Sequence, residues 1–234
     1  MTAPHPAPKS FSTTQLVLLA VVMVGFVIAP QLIVKAPNEP TMGLVQRIFY
    51  FHVPCAWQTM IGAFLAGGAS VMYLFRGSQK ARRMAIAAAE LAVLFGLCML
   101  LTGPLWARKA WGVWWQWDVR LTTAALLWIV LVAALFSERY GGPGGPRLSA
   151  GLMVFGAANV PMVYISVSLW RTIHPKTSVV STLDPAMRPA YWTSVLTFTL
   201  LFAVLLSLRM RLLRQREQLA ELKMRAEDAG LFDA

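Results

Sequence analysis

Six long apolar runs constrain this sequence more than any other feature. A helix needs about 20 mostly apolar residues to cross the hydrocarbon core of a bilayer, because each residue advances it by only ~1.5 Å. The runs cover residues 14–34, 49–75, 84–106, 121–136, 148–170 and 191–208, and the shortest, the fourth, carries no charge. The expected fold is therefore an all-α integral membrane protein with six transmembrane helices. The expected organisation is a tail at 1–13, a membrane domain at 14–208 and a basic tail at 209–234. A cleaved signal peptide is the rival reading of the first run. Its apolar core would be only about 7–15 residues long, so a retained span is expected.

Composition supports this. The chain is 57% hydrophobic and 13% charged, whereas soluble domains run near 45–50% and 25%. A water-soluble globule and a disordered chain are both excluded. The net charge of +11 would suggest nucleic-acid binding in a soluble protein. Here the basic residues sort by loop. Lys9, Arg76, Lys80, Arg82, Arg83, Arg139, Arg147, Arg209, Arg211, Arg214, Arg216, Lys223 and Arg225 fall on one side of the six spans. Lys35, Arg47, Arg108, Lys109, Arg120, Arg171, Lys176 and Arg188 fall on the other. The heavier side is expected to be cytoplasmic and to hold both termini. On that side, Gly141–Pro146 reads as a flexible turn. Residues 209–229, with Leu212, Leu219 and Leu222, read as a helical extension, either a basic anchor at an anionic membrane surface or a docking element.

The outer side collects the unusual residues. All nine tryptophans (Trp57, Trp106, Trp111, Trp114, Trp115, Trp117, Trp128, Trp170 and Trp192) fall in the outer half or beyond it, whereas an ordinary aromatic belt populates both interfaces. Five of them lie within 106–117, in an interfacial segment spanning 106–122. If 111–118 is helical, Trp111, Trp114, Trp115 and Asp118 share a face. That face is a platform for a flat conjugated ligand, with Arg108, Lys109 and Arg120 available to acidic groups on its edge. The plainer alternative is an interfacial anchor helix, with Asp118 capping the fourth span.

Two histidines reach the same side: His52 in Tyr-Phe-His-Val-Pro-Cys-Ala-Trp (50–57) and His174 in Ser-Leu-Trp-Arg-Thr-Ile-His-Pro (168–175). His5, in the proline-rich N-terminal tail, is expected to be solvated. Neutral imidazole is a natural axial donor to haem iron, and two histidines suffice for that where a zinc enzyme site would lack ligands. Cys55 and Cys98 read as small apolar residues, too few for a disulfide framework. Within the membrane, Glu90 is a functional candidate, with pairing to Arg82 or Arg83 as the alternative. Asn159 and Pro161 predict a kink in the fifth span whose freed carbonyl would be met by Asn159 or Ser166. On residues alone, a b-type electron-transfer cytochrome stays open through the two histidines. A small-solute permease subunit stays open through Glu90 and the kink, although it leaves the tryptophans unexplained.

The segment Trp-Gly-Val-Trp-Trp-Gln-Trp-Asp-Val-Arg-Leu-Thr (111–122) resembles the tryptophan-rich WWD signature of haem-handling proteins in cytochrome c maturation. Phe-His-Val-Pro (51–54), Thr102-Gly103, Asn-Val-Pro (159–161), the run ending at His174 and Leu-Asp-Pro-Ala-Met (183–187) extend the likeness over nearly the whole chain. Together with six spans they resemble the CcmC family; the CcmF and CcsA types are longer, with more spans. Ala107 and Pro175 stand where the family often has glycine and a polar residue. The resemblance implies a bacterial-type inner membrane and non-covalent haem b at the periplasmic face. It implies His52 and His174 as axial ligands, a platform of Trp114, Trp115, Trp117 and Asp118, to which the residue reading adds Trp111 and Arg120 as cofactor contacts, and delivery of the haem to a CcmE-like chaperone. A CcmD-like small membrane protein and a CcmA/CcmB-like ABC module are the implied partners. The chain has no Walker motif, so ATP hydrolysis would be theirs and this chain is expected to be no enzyme.

Overall fold

A computed structural model describes residues 11–40, 42–175 and 180–229. His5, Lys9 and Lys176, the first part of the N-terminal tail and the last residues of the C-terminal one lie outside the described residues. The protein is an all-α membrane protein. Its helices are α1 (Thr13–Lys35), α2 (Phe49–Arg76), α3 (Gln79–Trp111), α4 (Val119–Tyr140), α5 (Gly145–Leu169) and α6 (Arg188–Asp228). All six are long and apolar enough to cross a membrane. Short 3-10 turns at Leu44–Ile48 and Gly142–Gly144 lead into α2 and α5.

Local signals set the ends. Ser12 and Gln15 form a capping box at α1, satisfying two of the amide groups a helix start leaves open. Gly77, in the left-handed region at φ 64°, closes α2, and Ser78 caps α3 one residue later. α2 is the hub and packs on α3, α5 and α6, while α1 lies chiefly along α6. Small residues make the α2–α3 seam: Ala63, Ala66, Ala85, Ala88, Ala89 and Ala92 are all buried. Helices in lipid gain by close backbone approach, and small side chains permit it. At Gly67 a Cβ would sit 2.3 Å from the Cβ of Ala157 on α5. Gly67→Val is therefore expected to lower the unfolding midpoint in detergent, at a cost of about 1–3 kcal/mol from overpacking. An unchanged midpoint would show that the α2–α5 seam has room to spare.

The charged ends of α3 and α6 are tied by ion pairs, and here the sequence expectations need correction. Glu90 pairs with neither Arg82 nor Arg83. Arg209 of α6 grips it with two donors, one of them at 2.6 Å. Arg82 binds Glu138 of α4, and Arg83 binds Glu217 of α6. Charges of opposite sign on neighbouring helices out-compete the arginines on Glu90's own helix, so Glu90 fastens α3 to α6. The kink expectation also changes. Asn159 donates to the Thr123 carbonyl of α4 at 2.8 Å, and Ser166 donates to the Val163 carbonyl. Neither side chain goes to the carbonyl of Ala157, the one that Pro161 leaves without its amide donor. The extension of α6 through 209–228 is helical, as expected.

Candidate functional site: two histidines on a tryptophan-lined cavity

A cavity of about 1070 Å³ opens where the ends of α2, α3, α4 and α6 meet the connecting loops. That is at the upper end for small-molecule sites, which run roughly 300–1,000 Å³. His52 from the first turn of α2 and His174 from the α5–α6 loop both line it. So do six tryptophans: Trp57, Trp106, Trp111, Trp114, Trp115 and Trp192. The α1–α2 loop contributes Pro37 to Pro40 and Met42, and Val180 to Asp184 line it from the other side.

Both imidazoles have the same polarity. Thr102 Oγ1 donates to the Cys98 carbonyl at 2.7 Å and lies 3.0 Å from His52 Nδ1. Its proton being engaged, Thr102 accepts Nδ1–H from His52. His174 Nδ1 lies 2.9 Å from the Pro175 carbonyl, which can only accept. In each ring Nδ1 thus carries the proton and Nε2 keeps a free lone pair. A hydrogen bond on one imidazole nitrogen fixes the tautomer and raises the basicity of the other, the usual arrangement behind a metal-bound histidine. Gly103 leaves space for the His52 ring: a Cβ there would come within 3.3 Å of Cε1. Burial pushes the His174 imidazole down to about 4, with the Arg120 charge acting in the same direction, so it is neutral at physiological pH.

The tryptophan-rich segment is not the helix that the aromatic spacing predicts. α3 runs on to Trp111 and ends at Gly112, whose φ of 77° lies in the left-handed region that glycine enters without a Cβ penalty. Arg108 donates to the Gly112 carbonyl and so satisfies that end. Residues 112–118 form an irregular link into α4. Trp111, Trp114 and Trp115 still reach the cavity, but as a helix end plus a loop rather than as one helical face. Trp106 and Trp111 pack edge to face at 4.7 Å, and Trp111 stands 6.4 Å from the His174 ring. Trp117 does not line the cavity; it is 78% exposed and packs edge-on behind Trp115 at 5.5 Å.

Asp118 lies outside the lining too, yet it organises the site. Oδ1 accepts the Leu121 amide at 2.8 Å and caps α4. Oδ2 accepts the Ile173 amide at 3.1 Å and the Thr172 hydroxyl, and Thr172 Oγ1 in turn accepts the His174 amide. One carboxylate thereby joins the start of α4 to the loop that carries His174. Of the three cations expected near the platform, only Arg120 lines the cavity, and its guanidinium donates to the Val163 carbonyl of α5. Arg108 is taken up by Gly112, and Lys109 is exposed outside the lining. Arg188, held at 2.9 Å on the Leu183 carbonyl, is the second cation in the wall.

Sequence reasoning missed Thr102, Pro175, Thr172 and Arg188 as contributors. It also placed Trp57, Trp106 and Trp192 on this face without assigning them to the site. The Pro175 carbonyl had no signal, since every residue has a carbonyl. Threonine one residue before Gly103 was visible but carried no hint that α2 would set His52 against it.

The sequence matches the family model for heme exporter protein C, CcmC, over residues 5–229. It is 35% identical over 185 residues to heme exporter protein C of Escherichia coli K12, covering 75% of this chain and 73% of that protein. The same-named protein of Bradyrhizobium diazoefficiens is 34% identical over 189 residues, 77% of this chain and 72% of that one. A ccmC-like mitochondrial protein of Marchantia polymorpha, named for cytochrome c biosynthesis, is 30% identical over 144 residues, 62% of this chain and 61% of its own. A match across nearly the full length, with the tryptophan segment and both histidines inside it, leaves one conclusion: the chain belongs to the heme exporter protein C (CcmC) family.

Proposed function

We propose that this protein holds haem b non-covalently between His52 and His174 and presents it to a CcmE-like chaperone during c-type cytochrome maturation. One observation carries the reading. Two imidazoles on one aromatic cavity both have Nδ1–H engaged and Nε2 left as a donor, the state in which histidine ligates haem iron. The walls suit a flat conjugated ligand with an acidic edge. Trp111, Trp114 and Trp115 offer ring area, Arg120 and Arg188 offer positive charge, and the indole N–H groups of Trp106 and Trp115 are buried without an acceptor. The names of the relatives, heme export and cytochrome c biosynthesis, point the same way. In this reading the tryptophan face is periplasmic, the membrane is the inner membrane, and both termini are cytoplasmic. A CcmD-like protein and a CcmA/CcmB-like ABC module are the partners. The chain itself catalyses nothing and acts as a holding and transfer site. Glu90, bound to Arg209, takes a structural part.

The pH dependence follows from His174. In the unfolded chain the imidazole protonates near 6.5, and in the folded protein only near 4. The unfolded state therefore takes up the proton first, and this contribution to stability is lost as pH falls from about 6.5 through about 4. Haem affinity is expected to stay level from neutral pH down to about pH 5 and to fall as pH passes about 4. A haem titration followed optically across this range checks it, and loss of binding centred near 6.5 would mean that the imidazole is solvated.

The delivery role is tested by mixing the purified haem-loaded protein with an apo CcmE-like chaperone. Haem is expected to appear on the chaperone. Haem that binds and never leaves would sink delivery and favour an electron-transfer cytochrome using the same two histidines.

A further inference from the structure

The far end of α6 has a surface that haem handling does not use. α6 is 41 residues long, about 60 Å at 1.5 Å per residue, twice what a bilayer core needs. It has no proline or glycine after Pro189, so the part beyond the membrane continues the axis of the span and stands away from the bilayer. The tail therefore does not lie flat as a surface anchor.

Its residues follow a heptad. Leu212, Leu219 and Ala226 take a positions, and Gln215 and Leu222 take d positions. The three leucines are 50%, 54% and 61% exposed. On the opposite side of the helix, at f, Glu217 binds Arg83 of α3, so the body of the protein sits behind the helix and the leucine stripe faces outward. From Leu212 onward the flanking e and g positions are Arg216, Gln218, Lys223 and Arg225, whereas Glu217, Glu221, Glu227 and Asp228 all fall at b, c or f. Within a tail that mixes both signs, the edges of the stripe carry only positive or neutral groups.

That pattern selects an occupant. A second copy of α6 would set cation against cation in either orientation, a repulsion that coiled coils use against wrong partners. We infer that residues 209–228 of α6 are half of a heterotypic two-helix coiled coil, whose partner is a helix with apolar a and d positions and Glu or Asp at e and g. Gln215, the single polar d position, sets the register.

The test uses the full chain in nanodiscs and two synthetic helical peptides of three heptads. Both carry Leu at a and d with one Gln opposite Gln215; one has Glu at e and g, the other Lys. The Glu peptide is expected to bind at least about tenfold more tightly than the Lys peptide, a difference of ~1.4 kcal/mol, and to weaken with salt. Leu219→Asp should abolish binding. The triple variant Arg216→Glu, Lys223→Glu, Arg225→Glu should reverse the preference while leaving helicity and haem spectrum unchanged. Equal binding of the two peptides, binding of neither, an unchanged preference in the triple variant, or self-association of the chain that Leu219→Asp removes would each overturn the inference.

Discussion

Alanine at His52 or at His174 is expected to abolish the six-coordinate haem spectrum of the purified protein and to lower haem affinity by more than roughly 100-fold. Loss of a partner behind a metal ligand alone costs about 10–100-fold, and loss of the donor itself exceeds that. The fold should survive. In His52→Ala, Thr102 keeps its own donation to the Cys98 carbonyl, so no proton is stranded in the membrane. His174 is held in place through backbone and neighbours, by the Thr172 hydroxyl at its amide and by Asp118 at Ile173, and those contacts remain when the ring is gone. Each variant leaves a ring-sized gap beside the cavity, so added imidazole should restore a six-coordinate spectrum in part. Optical titration with haem, with and without imidazole, reads both outcomes. Haem bands unchanged in both variants would remove the histidines from the site, whatever the family relationship.

The membrane architecture was legible because hydropathy and helix rise measure the same length. Every predicted run lies within an observed helix except at its edge residues, as with Trp170 just past α5. The helices overshoot the runs where charge is paired. Gln79 to Arg83 read as loop, yet they are helical because Glu138 and Glu217 on other helices take up Arg82 and Arg83. Such pairing depends on residues more than fifty positions away, which periodicity does not report. The tryptophan segment shows a different limit. Helical spacing of Trp111, Trp114 and Trp115 singled out three residues that line one cavity, for the wrong geometric reason, since Gly112 ends the helix after the first of them. Both histidines were legible, by type and side, as residues of one face, and both line the cavity. Their tautomers were not, because these rest on one hydroxyl turned by α3 and one carbonyl in a loop.

Asp118→Ala is expected to remove His174 from the iron while leaving His52 in place. The capping and haem-platform readings of Asp118 share a premise, that the carboxylate acts where its own helix begins. The contacts are wider than that. Oδ1 caps α4 through Leu121, and loss of such a cap costs about 0.5–2 kcal/mol. Oδ2 holds the loop at Thr172 and Ile173, and hydrogen bonds to a charged group contribute about 1.5–3 kcal/mol. The second pair matters more for function, because these hydrogen bonds tie Asp118 to the stretch 172–174 that carries the imidazole. The alanine variant should therefore bind haem about 10–100-fold more weakly, with a spectrum shifted from six-coordinate toward that of His174→Ala. Asp118→Asn separates the two roles. Its carbonyl can still accept from Leu121, but its NH₂ would face the Ile173 amide and the Thr172 hydroxyl, where the amide can only donate. Haem affinity should then fall, and the unfolding midpoint should drop less than in Asp118→Ala because the α4 cap is kept. If the Asp118→Asn variant keeps wild-type haem binding, the Oδ2 contacts do not position His174, Asp118 is a helix cap alone, and the orientation of His174 is set elsewhere in its loop.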